Sequence, residues 1–378
     1  MIVGVPRETA TDERRVALVP DSLAPLKKVG LSVVLEPSAG VAAGFTDAAY
    51  EQAGAAIQAD AFAGADVVVK VAPPTADEIA RIKDGAILIG VLGAAGTPAA
   101  MQALAARNIA AFALERMPRI TRAQPMDVLS AMSTVAGYKA VLLAANHLPK
   151  FFPQLMTAAG TITPDRVLII GAGVAGLQGI ATSRRLGAVV EAYDTRPAVK
   201  EQVESLGAKY VDLGLDTADA EAKTGYAKAQ TEDFYIRQRK ALGLRIAQCD
   251  AVITTALVPG QPAPLLIDED AVRAMRPGSV IVDLAAEQGG NCAFTKAGET
   301  IVQNGVTIIG PRNLPSSLPF HASQMYSRVV ANYLAHLFKG GNLNIDLTDE
   351  LTRGPLVTHQ GEIVHEVVKK ALQPQAGS

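Results

Sequence analysis

The sequence predicts an α/β protein with two doubly wound domains, each built on a mainly parallel sheet and separated from the other by a cleft. Three observations lead to this prediction. The 378 residues are long enough for two domains of ordinary size. Short apolar runs alternate with helical segments along the chain. One of these runs leads into a glycine pattern that is typical of Rossmann-like domains.

The glycine pattern belongs to a unit of strand, turn, helix and second strand. The apolar run Val167 to Ile170 predicts a buried parallel strand, Leu177 to Leu186 a helix, and Val189 to Tyr193 the next strand. The glycines in G-x-G-x-x-G spacing are Gly171, Gly173 and Gly176. In this motif the first glycine permits a tight turn, the second lets the backbone approach a pyrophosphate, and the third lets helix and strand pack closely.

The helix start and the acid after the second strand indicate which nucleotide would bind. Free N–H groups and the positive end of the helix dipole favour phosphate groups. Asp194 follows the glycines by about 20 residues, where dinucleotide-binding domains place the acid that contacts the adenosine ribose. Its charge would repel a 2′-phosphate, which favours NAD(H) over NADP(H). The alternative is a tight turn between strand and helix that binds no ligand.

The alternation of strands and helices continues on both sides of this unit. The other predicted strands are Ile2 to Val5, Ser32 to Glu36, Val67 to Val71, Ala86 to Leu92, Ile109 to Ala113, Lys209 to Asp212, Ala251 to Thr254, Val280 to Leu284 and Val306 to Ile309. A helix from Val128 to Ala145 joins the halves, and a helix from His321 to Lys339 returns to the first domain before a short β-rich tail. We expect a first domain at 1–127 plus about 320–378, a linking helix within 128–150, and an NAD-binding domain at 151–319.

Charge and composition exclude several classes of protein. The net charge of −2 gives no strong field that would attract nucleic acid or anionic lipid. Cys249 and Cys292 are far apart, which suits a reducing cytosol and argues against a disulfide framework. The histidines have no metal-ligand spacing, so no metal is expected; they are His147, His321, His336, His359 and His365.

One uncharged stretch, Gly85 to Ala106, is long enough to suggest a membrane span. It contains four glycines, which favours another interpretation. We predict a strand, a loop and then a helix that is capped by Thr97 and has Pro98 at its first position. No transmembrane helix is expected.

A polar loop around two prolines precedes the linking helix. Its sequence is E-R-M-P-R-I-T-R-A-Q-P-M-D-V-L-S, from Glu115 to Ser130. The side chains that could contact a carboxamide, a ribose or a phosphate are Arg119, Gln124, Asp127 and Ser130. A polar crossing between domains explains the same composition, and the spacing alone leaves both interpretations open.

Two cations and one long loop are further candidates. Arg15 and Lys70 lie near predicted strand ends, where ligands of open α/β sheets bind, although an exposed surface cation is the simpler interpretation of each. Asp212 to Asp233 is longer than an ordinary connection and carries T-G-Y-A-K with Tyr226, so we expect a flexible or functional loop.

These motifs together resemble the NAD(H)-binding component, domain I, of proton-translocating nicotinamide nucleotide transhydrogenases, and more distantly alanine dehydrogenases. The segments that carry the resemblance are G-V-P-R-E, R-R-V-A-L-V-P, P-R-I-T-R-A-Q-P-M-D-V-L-S, G-A-G-V-A-G-L, T-G-Y-A-K, T-T-A-L-V-P-G and V-D-L-A-A-E-Q-G-G-N-C. They cover nearly the whole chain, and the loop with Arg119 and Asp127 is the most specific of them.

The resemblance implies a role for each motif. It implies that the Glu115–Ser130 loop holds the nicotinamide end of NAD(H) and that T-G-Y-A-K closes over the bound nucleotide. Residues of the transfer site would be Arg119, Gln124, Asp127 and Ser130. The other residues expected to bind NAD(H) are Gly171, Gly173, Val174, Ala175, Gly176, Asp194, Thr195, Arg196, Gly225, Tyr226, Ala256 and Leu257.

The resemblance also implies partners. It implies a homodimer that docks onto membrane-embedded transhydrogenase subunits and onto a domain that binds NADP(H), so that NADP(H) is not held by this chain. It further implies a cytoplasmic location, peripheral on the inner face of the membrane.

Two positions distinguish this chain from alanine dehydrogenases. Arg15 and Lys70 match that enzyme's substrate-binding cations, but Gly93 stands in V-L-G-A-A-G where its catalytic histidine is expected, and Glu287 replaces its active-site aspartate. Deamination needs a group that exchanges protons near neutral pH, whereas hydride transfer between two nicotinamides does not. The sequence therefore favours transhydrogenation. An alanine dehydrogenase-type enzyme and a non-enzymatic NAD sensor are the alternatives.

Overall fold

The computed structural model of the chain describes residues 1–215, 231–258 and 261–372. The N-terminal segment forms strands β1 (Ile2–Val5), β2 (Ser32–Leu35), β3 (Ala56–Ile57), β4 (Val67–Val69), β5 (Ile87–Gly90) and β6 (Ala110–Ala113), and helices α1 (Leu23–Lys28), α2 (Asp47–Gln52), α3 (Ala76–Arg81), α4 (Pro98–Ala106) and α5 (Val128–His147). The central segment forms β7 (Leu155–Thr157), β8 (Gly160–Ile162), β9 (Arg166–Ile170), β10 (Val189–Tyr193), β11 (Lys209–Tyr210), β12 (Ala251–Thr254), β13 (Val280–Asp283), β14 (Thr300–Gln303) and β15 (Val306–Ile309), with helices α6 (Val174–Arg185), α7 (Lys200–Ser205), α8 (Glu232–Ile246) and α9 (Glu269–Ala274). The C-terminal segment forms α10 (Pro319–Leu337), β16 (Phe338–Lys339), β17 (Asn342–Leu343), α11 (Glu350–Arg353), β18 (Leu356–His359), β19 (Glu362–Ile363) and α12 (Glu366–Leu372).

The chain divides into two compact units, 1–132 with 316–378 and 133–315. The first unit contains an eight-stranded sheet in the order β19-β18-β6-β5-β4-β1-β2-β3. Strands β1 to β6 pair in parallel, and β18 runs antiparallel to both β6 and β19. The second unit contains a seven-stranded sheet in the order β11-β10-β9-β12-β13-β15-β14, which is parallel except at β14. The predicted fold class of two Rossmann-like domains with mainly parallel sheets is confirmed.

Some elements differ from their prediction at the sheet edges. The strand β14, which pairs antiparallel with the predicted strand Val306–Ile309, was not predicted. The predicted β-rich tail contributes strands to the first sheet, since β18 pairs with β6. The predicted helix at Leu177 begins at Val174, three residues earlier. Each of these features depends on pairing or capping that local sequence patterns do not report.

Serine hydroxyls of the C-terminal segment hold an irregular N-terminal segment in the first unit. Ser323 and Ser327 lie one turn apart on α10 and accept hydrogen bonds from the N–H groups of Val16 and Val19, at 3.0 and 2.9 Å. Ser316 accepts from the N–H of Arg14 at 2.7 Å. Buried backbone N–H groups need partners, and here side chains replace a strand neighbour. The segment at 14–19 is therefore fixed by residues from the far end of the chain.

The uncharged stretch Gly85–Ala106 is divided as predicted into a strand, a loop and a helix, β5 and α4. Pro98 occupies the first turn of α4. The predicted cap is wrong, however, because the Thr97 hydroxyl donates to the carbonyl oxygens of Leu92 and Gly93, each at 3.2 Å, and accepts no helical N–H. Thr97 thus stabilises the loop before the helix.

Among the described residues, α5 is long and apolar enough by length and composition to cross a membrane. Its most apolar window has a mean hydropathy of 1.5 and is 39% buried. Ala140, Val141 and Ala144 of this helix belong to the same buried cluster as Val167 and Ile169 of β9. These residues pack inside the second unit, so part of the apolar surface of α5 belongs to the protein core.

An acidic pair lies at the start of β9, in the second unit. Asp165 is buried, and burial together with the neighbouring Asp250 carboxylate raises the pKa of Asp165 to about 6. Asp250 itself accepts hydrogen bonds from the Lys150 ammonium, at 2.5 Å, and from the N–H of Arg166. One oxygen of Asp165 has no hydrogen-bond partner. The ionised form of Asp165 therefore destabilises the fold.

We expect Asp165→Asn to raise the melting temperature at pH 8. The carboxyl has a higher pKa in the folded than in the unfolded chain, so the wild type loses stability as the pH rises from about 4 to about 6. The gain from the substitution should be full above pH 6 and shrink as the pH falls through that window. Calorimetry from pH 4.5 to pH 8 measures it. Asp250→Asn is the control and should destabilise, because it weakens the Lys150 ion pair; a lower melting temperature for Asp165→Asn at pH 8 would contradict the argument.

Candidate nucleotide-binding site

Two glycines in the turn between β9 and α6 are required by the packing of the protein, whether or not a nucleotide binds. Gly171 has a φ of +97°, and a Cβ there would lie 2.6 Å from the Thr255 hydroxyl. A Cβ on Gly176 would overlap the carbonyl oxygen of Gly171. A side chain at either position would force the helix away from the strand or strain the backbone. These two glycines are explained by packing alone.

Gly173, between them, has no such explanation. Its φ of −76° is open to any residue, and an added Cβ would have no heavy atom within 4 Å. It is the N-cap of α6, where no side chain caps the first turn in the described structure. Val174 and Ala175 follow, and Val174 is exposed. A bare, uncapped helix start beside open space fits a pyrophosphate group.

The start of α6 is also held from behind by α5. A Cβ on Gly137 of α5 would overlap the backbone of Ala175. The two helices therefore approach each other at the first turn of α6, closer than any side chain would permit. Gly137 was not predicted as a site residue, and a glycine within a long apolar helix pattern is the signal that indicates such an approach.

Asp194 directly follows β10, as predicted, but its carboxylate already accepts hydrogen bonds from groups of the protein. The residue is 6% exposed. One oxygen accepts from the N–H of Ala172 in the glycine turn, at 2.7 Å. The other donors belong to Arg196: its N–H at 2.8 Å, its Nε at 2.9 Å and its Nη2 at 2.8 Å. Thr195, between the two, is half-buried. The carboxylate thus ties the strand end to the glycine turn.

The predicted contact residues after β12 are positioned by an asparagine that sequence analysis missed. Asn291 is buried, accepts from the N–H of Ala256 at 3.1 Å, and donates to the carbonyl oxygens of Ala256 and Pro264 at 2.9 and 2.8 Å. Its own N–H donates to Asp283, whose buried carboxylate also accepts from Thr254. Leu257, next to Ala256, is exposed. The G-G-N run after an apolar strand was the available signal.

The polar loop lies in the first unit and has two kinds of residue. Arg119 and Gln124 are exposed, and Gln124 belongs to the short 3-10 helix Thr121–Met126. Asp127 accepts from the N–H and the hydroxyl of Ser130, at 3.0 and 2.6 Å, immediately before α5. Asp127 therefore caps the helix, and the Ser130 hydroxyl donates to the capping carboxylate, a structural role that the D-x-x-S spacing indicates and that the nucleotide interpretation did not include.

The remaining predicted nucleotide contacts, Gly225 and Tyr226, lie outside the described residues. The same is true of most of the loop predicted from Asp212 to Asp233. Within residues 1–215, 231–258 and 261–372, no group of three or more His, Cys, Asp or Glu side chains could hold a metal ion.

Arg15 and Lys70 are not exposed surface cations, so that interpretation is wrong. Lys70 is 1% exposed, and its ammonium contacts Glu8 at 3.1 Å and Glu78 at 3.0 Å. Arg15 contacts Glu13 at 2.6 Å. Burial raises the pKa of Glu8, and the Lys70 charge opposes that shift. Buried charges need partners, and both cations have carboxylates from their own chain.

The loop that would carry an alanine dehydrogenase histidine is held by a carboxylate instead. Gly93 has a φ of +57°. The N–H groups on either side of it, from Leu92 and Ala94, donate to Glu115, each at 3.1 Å. Glu287, at the aspartate position, is exposed in a 3-10 turn after β13. Gly93 carries no imidazole, and the loop around it is held by the Glu115 carboxylate.

Family models match both halves of the chain. The model described as alanine dehydrogenase/PNT, N-terminal domain, matches residues 4–136, and the model of the C-terminal domain matches residues 140–366. The protein is therefore a two-domain α/β nucleotide-binding protein. More particularly, it belongs to the alanine dehydrogenase/PNT family, which confirms the resemblance drawn from its motifs.

Individual relatives in this family include transhydrogenases and alanine dehydrogenases, and their identity to this chain differs. An NAD(P) transhydrogenase subunit alpha chain of Rhodospirillum rubrum is 46% identical over 97% of this chain and 98% of its own. Alanine dehydrogenase of Bacillus subtilis is 30% identical over 98% and 95%. The crystal structure of a transhydrogenase from Sinorhizobium meliloti matches with a TM-score of 0.87 and 41% identity, over 96% of this chain and all of that one. The chain is more similar to these transhydrogenases than to that alanine dehydrogenase.

We expect Gly173→Ala and Gly176→Ala to separate nucleotide binding from folding. Gly173→Ala has room in the protein, so the free energy of unfolding in urea should fall by no more than about 1 kcal/mol, the cost of alanine at an N-cap. NADH affinity should fall by about tenfold because the methyl group meets the pyrophosphate. Gly176→Ala should destabilise the protein, since its Cβ overlaps Gly171. Fluorescence titration with NADH measures the affinities. Unchanged NADH binding by Gly173→Ala would argue against a pyrophosphate at this turn.

We expect Asn291→Ala to weaken both the fold and NADH binding. It leaves the N–H and carbonyl of Ala256 and the carbonyl of Pro264 without their partner, at a cost of about 1–3 kcal/mol for each buried group that water does not reach. Urea unfolding and NADH titration measure the two effects. Asn146→Ala, at an exposed position of α5, is the matched control. If Asn291→Ala bound NADH as tightly as the wild type, the Ala256 segment would not contact the nucleotide.

Proposed function

We propose that this chain is the NAD(H)-binding component of a proton-translocating NAD(P) transhydrogenase. The observation that carries the proposal is Gly173, a glycine without a packing reason at the uncapped start of α6. It supports a dinucleotide at this turn. Gly93, which stands where an alanine dehydrogenase histidine is expected, supports transfer between nucleotides over amino-acid oxidation, because transhydrogenation needs no acid or base on the protein.

The main groups of predicted residues have separate tasks in this proposal. The first turn of α6 donates N–H groups to the pyrophosphate, and Asp194 receives the adenosine ribose. Arg119 and Gln124 hold the carboxamide end, on a loop that Asp127 secures by capping α5, with the Ser130 hydroxyl donating to its carboxylate. The roles of Gly225 and Tyr226, which lie outside the described residues, stay predictions from the resemblance. Bound NADH supplies the hydride to NADP+, and the protein contributes orientation and the exclusion of water.

In this proposal, partner subunits bind NADP(H) and span the membrane. We infer that NADP(H) is held by a partner domain, since Asp194 disfavours a 2′-phosphate. Membrane-embedded subunits would carry the proton pathway and place this chain at the cytoplasmic face. The packing of Ala140, Val141 and Ala144 of α5 in the core of the second unit supports a peripheral role. The association of two copies of the chain is inferred from the resemblance alone.

We expect rapid hydride transfer from NADH to an NADP+ analogue only when a purified NADP(H)-binding domain of a related transhydrogenase is added. Gln124→Ala should slow this transfer by about tenfold or more, because a misoriented nicotinamide loses its alignment with the acceptor. Arg122→Gln, on the same 3-10 helix but paired with Asp349, is the control and should leave the rate unchanged. Stopped-flow absorbance measures the rates, and equal rates for wild type and Gln124→Ala would remove Gln124 from the site.

An alanine dehydrogenase-type activity is the second candidate, and Arg15 and Lys70 are the observation in its favour. Both cations are already neutralised by Glu13, Glu8 and Glu78, so a substrate carboxylate would have to displace these partners. We therefore expect no oxidation of NADH by this chain with pyruvate and ammonia, measured beside the transhydrogenation assay. Turnover without a partner domain would establish the dehydrogenase instead.

A further inference from the structure

Arg196 satisfies most of the hydrogen-bonding capacity of Asp194. An ionised carboxylate has about four acceptor positions. Here Oδ1 receives the N–H and the Nε of Arg196, and Oδ2 receives the Nη2 of Arg196 and the N–H of Ala172. The side chains of Asp194 and Arg196 are 6% and 14% exposed. A ribose hydroxyl therefore cannot reach this carboxylate until one of the present donors leaves.

The guanidinium is the donor that can leave. The N–H groups of Ala172 and Arg196 belong to the backbone at the glycine turn and the strand end, where the chain is held by its neighbours. Tyr210 fixes the same strand end from the other side, because its hydroxyl donates to the carbonyl oxygen of Asp194 at 2.8 Å. The Arg196 side chain has rotatable bonds and lies two residues further on. Its release frees one acceptor position on each oxygen, enough for the two hydroxyls of a ribose.

The released guanidinium of Arg196 would also be well suited to bind the 2′-phosphate of NADP(H). Arginine binds phosphate through two parallel hydrogen bonds and is the residue that accepts a 2′-phosphate in NADP-binding domains. In this chain such a side chain stands beside the ribose acid and is bound by it. We propose that Asp194 excludes NADP(H) in two ways, by its own charge and by sequestering Arg196, which makes Arg196 a specificity-determining residue. This proposal rests on the proposed NAD(H) site.

A double-mutant comparison tests the sequestration. The variants are Asp194→Asn, Arg196→Met and the double variant, and the probes are ADP-ribose and adenosine 2′,5′-bisphosphate, titrated by calorimetry. Asp194→Asn should bind the bisphosphate at least about tenfold more tightly than the wild type, because it removes a charge and releases Arg196. The double variant should lose most of that gain. If it bound the bisphosphate as tightly as Asp194→Asn, charge repulsion alone would explain the selectivity and the proposal would be wrong.

Arg196→Met alone gives a second readout that does not depend on altering Asp194. Methionine keeps an unbranched apolar stem, and the carboxylate then meets the ribose without a competing guanidinium. We expect ADP-ribose to bind a few-fold more tightly than to the wild type, with an unchanged affinity for nicotinamide mononucleotide. Weaker ADP-ribose binding would show that Arg196 contacts the nucleotide directly and would overturn the displacement. Failure of the NAD(H) site itself is distinguishable, because the wild type would then bind no ADP-ribose at all.

Discussion

The close approach of α6 to the turn after β9 is the constraint on which the candidate site depends. Gly176 lies against the carbonyl oxygen of Gly171, and Gly137 of α5 lies against Ala175. Because Gly176 and Gly137 have no side chain, the start of α6 packs closely against the turn after β9 and against α5. The N–H groups in the first turn of α6 then point into the space beside Gly173, and Gly173 leaves this space open because it has no side chain. Asp194 then joins the same turn through the N–H of Ala172, so that the residues proposed for the phosphate and for the ribose are directly connected.

Much of this unit could be predicted from sequence because its signals are local. Glycine spacing, an apolar strand and a terminal acid lie within one short stretch, and each has a single physical reason. The features that could not be predicted join residues far apart in the chain. Asn291 contacts Ala256 across two strand ends, and β18 returns from the C-terminal segment to pair with β6. Such contacts depend on how the sheet is assembled, which periodicity does not encode.

The two cations show where a composition-based argument fails. Solvated side chains are the default expectation for Arg15 and Lys70 because most lysines and arginines are exposed. The chain buries them and supplies Glu8, Glu13 and Glu78 as partners, each from a different place in the sequence. Both cations thus have their carboxylate partners within the first unit. Recognising these ion pairs requires the three-dimensional structure, because no single spacing identifies the carboxylates that will meet a given cation.

The serine contacts of α10 have a consequence for biosynthesis. In the segment at 14–19, the N–H groups of Arg14, Val16 and Val19 donate to Ser316, Ser323 and Ser327, which the ribosome adds after the whole of the second unit. At about 5–20 residues per second, the 183 residues of 133–315 take roughly 10–40 seconds to synthesise. During that interval the first strands are exposed without the helix that completes their unit. The second unit, which is continuous in the chain, is therefore the part that can fold first, and the nascent N-terminal half is the part that a chaperone would protect.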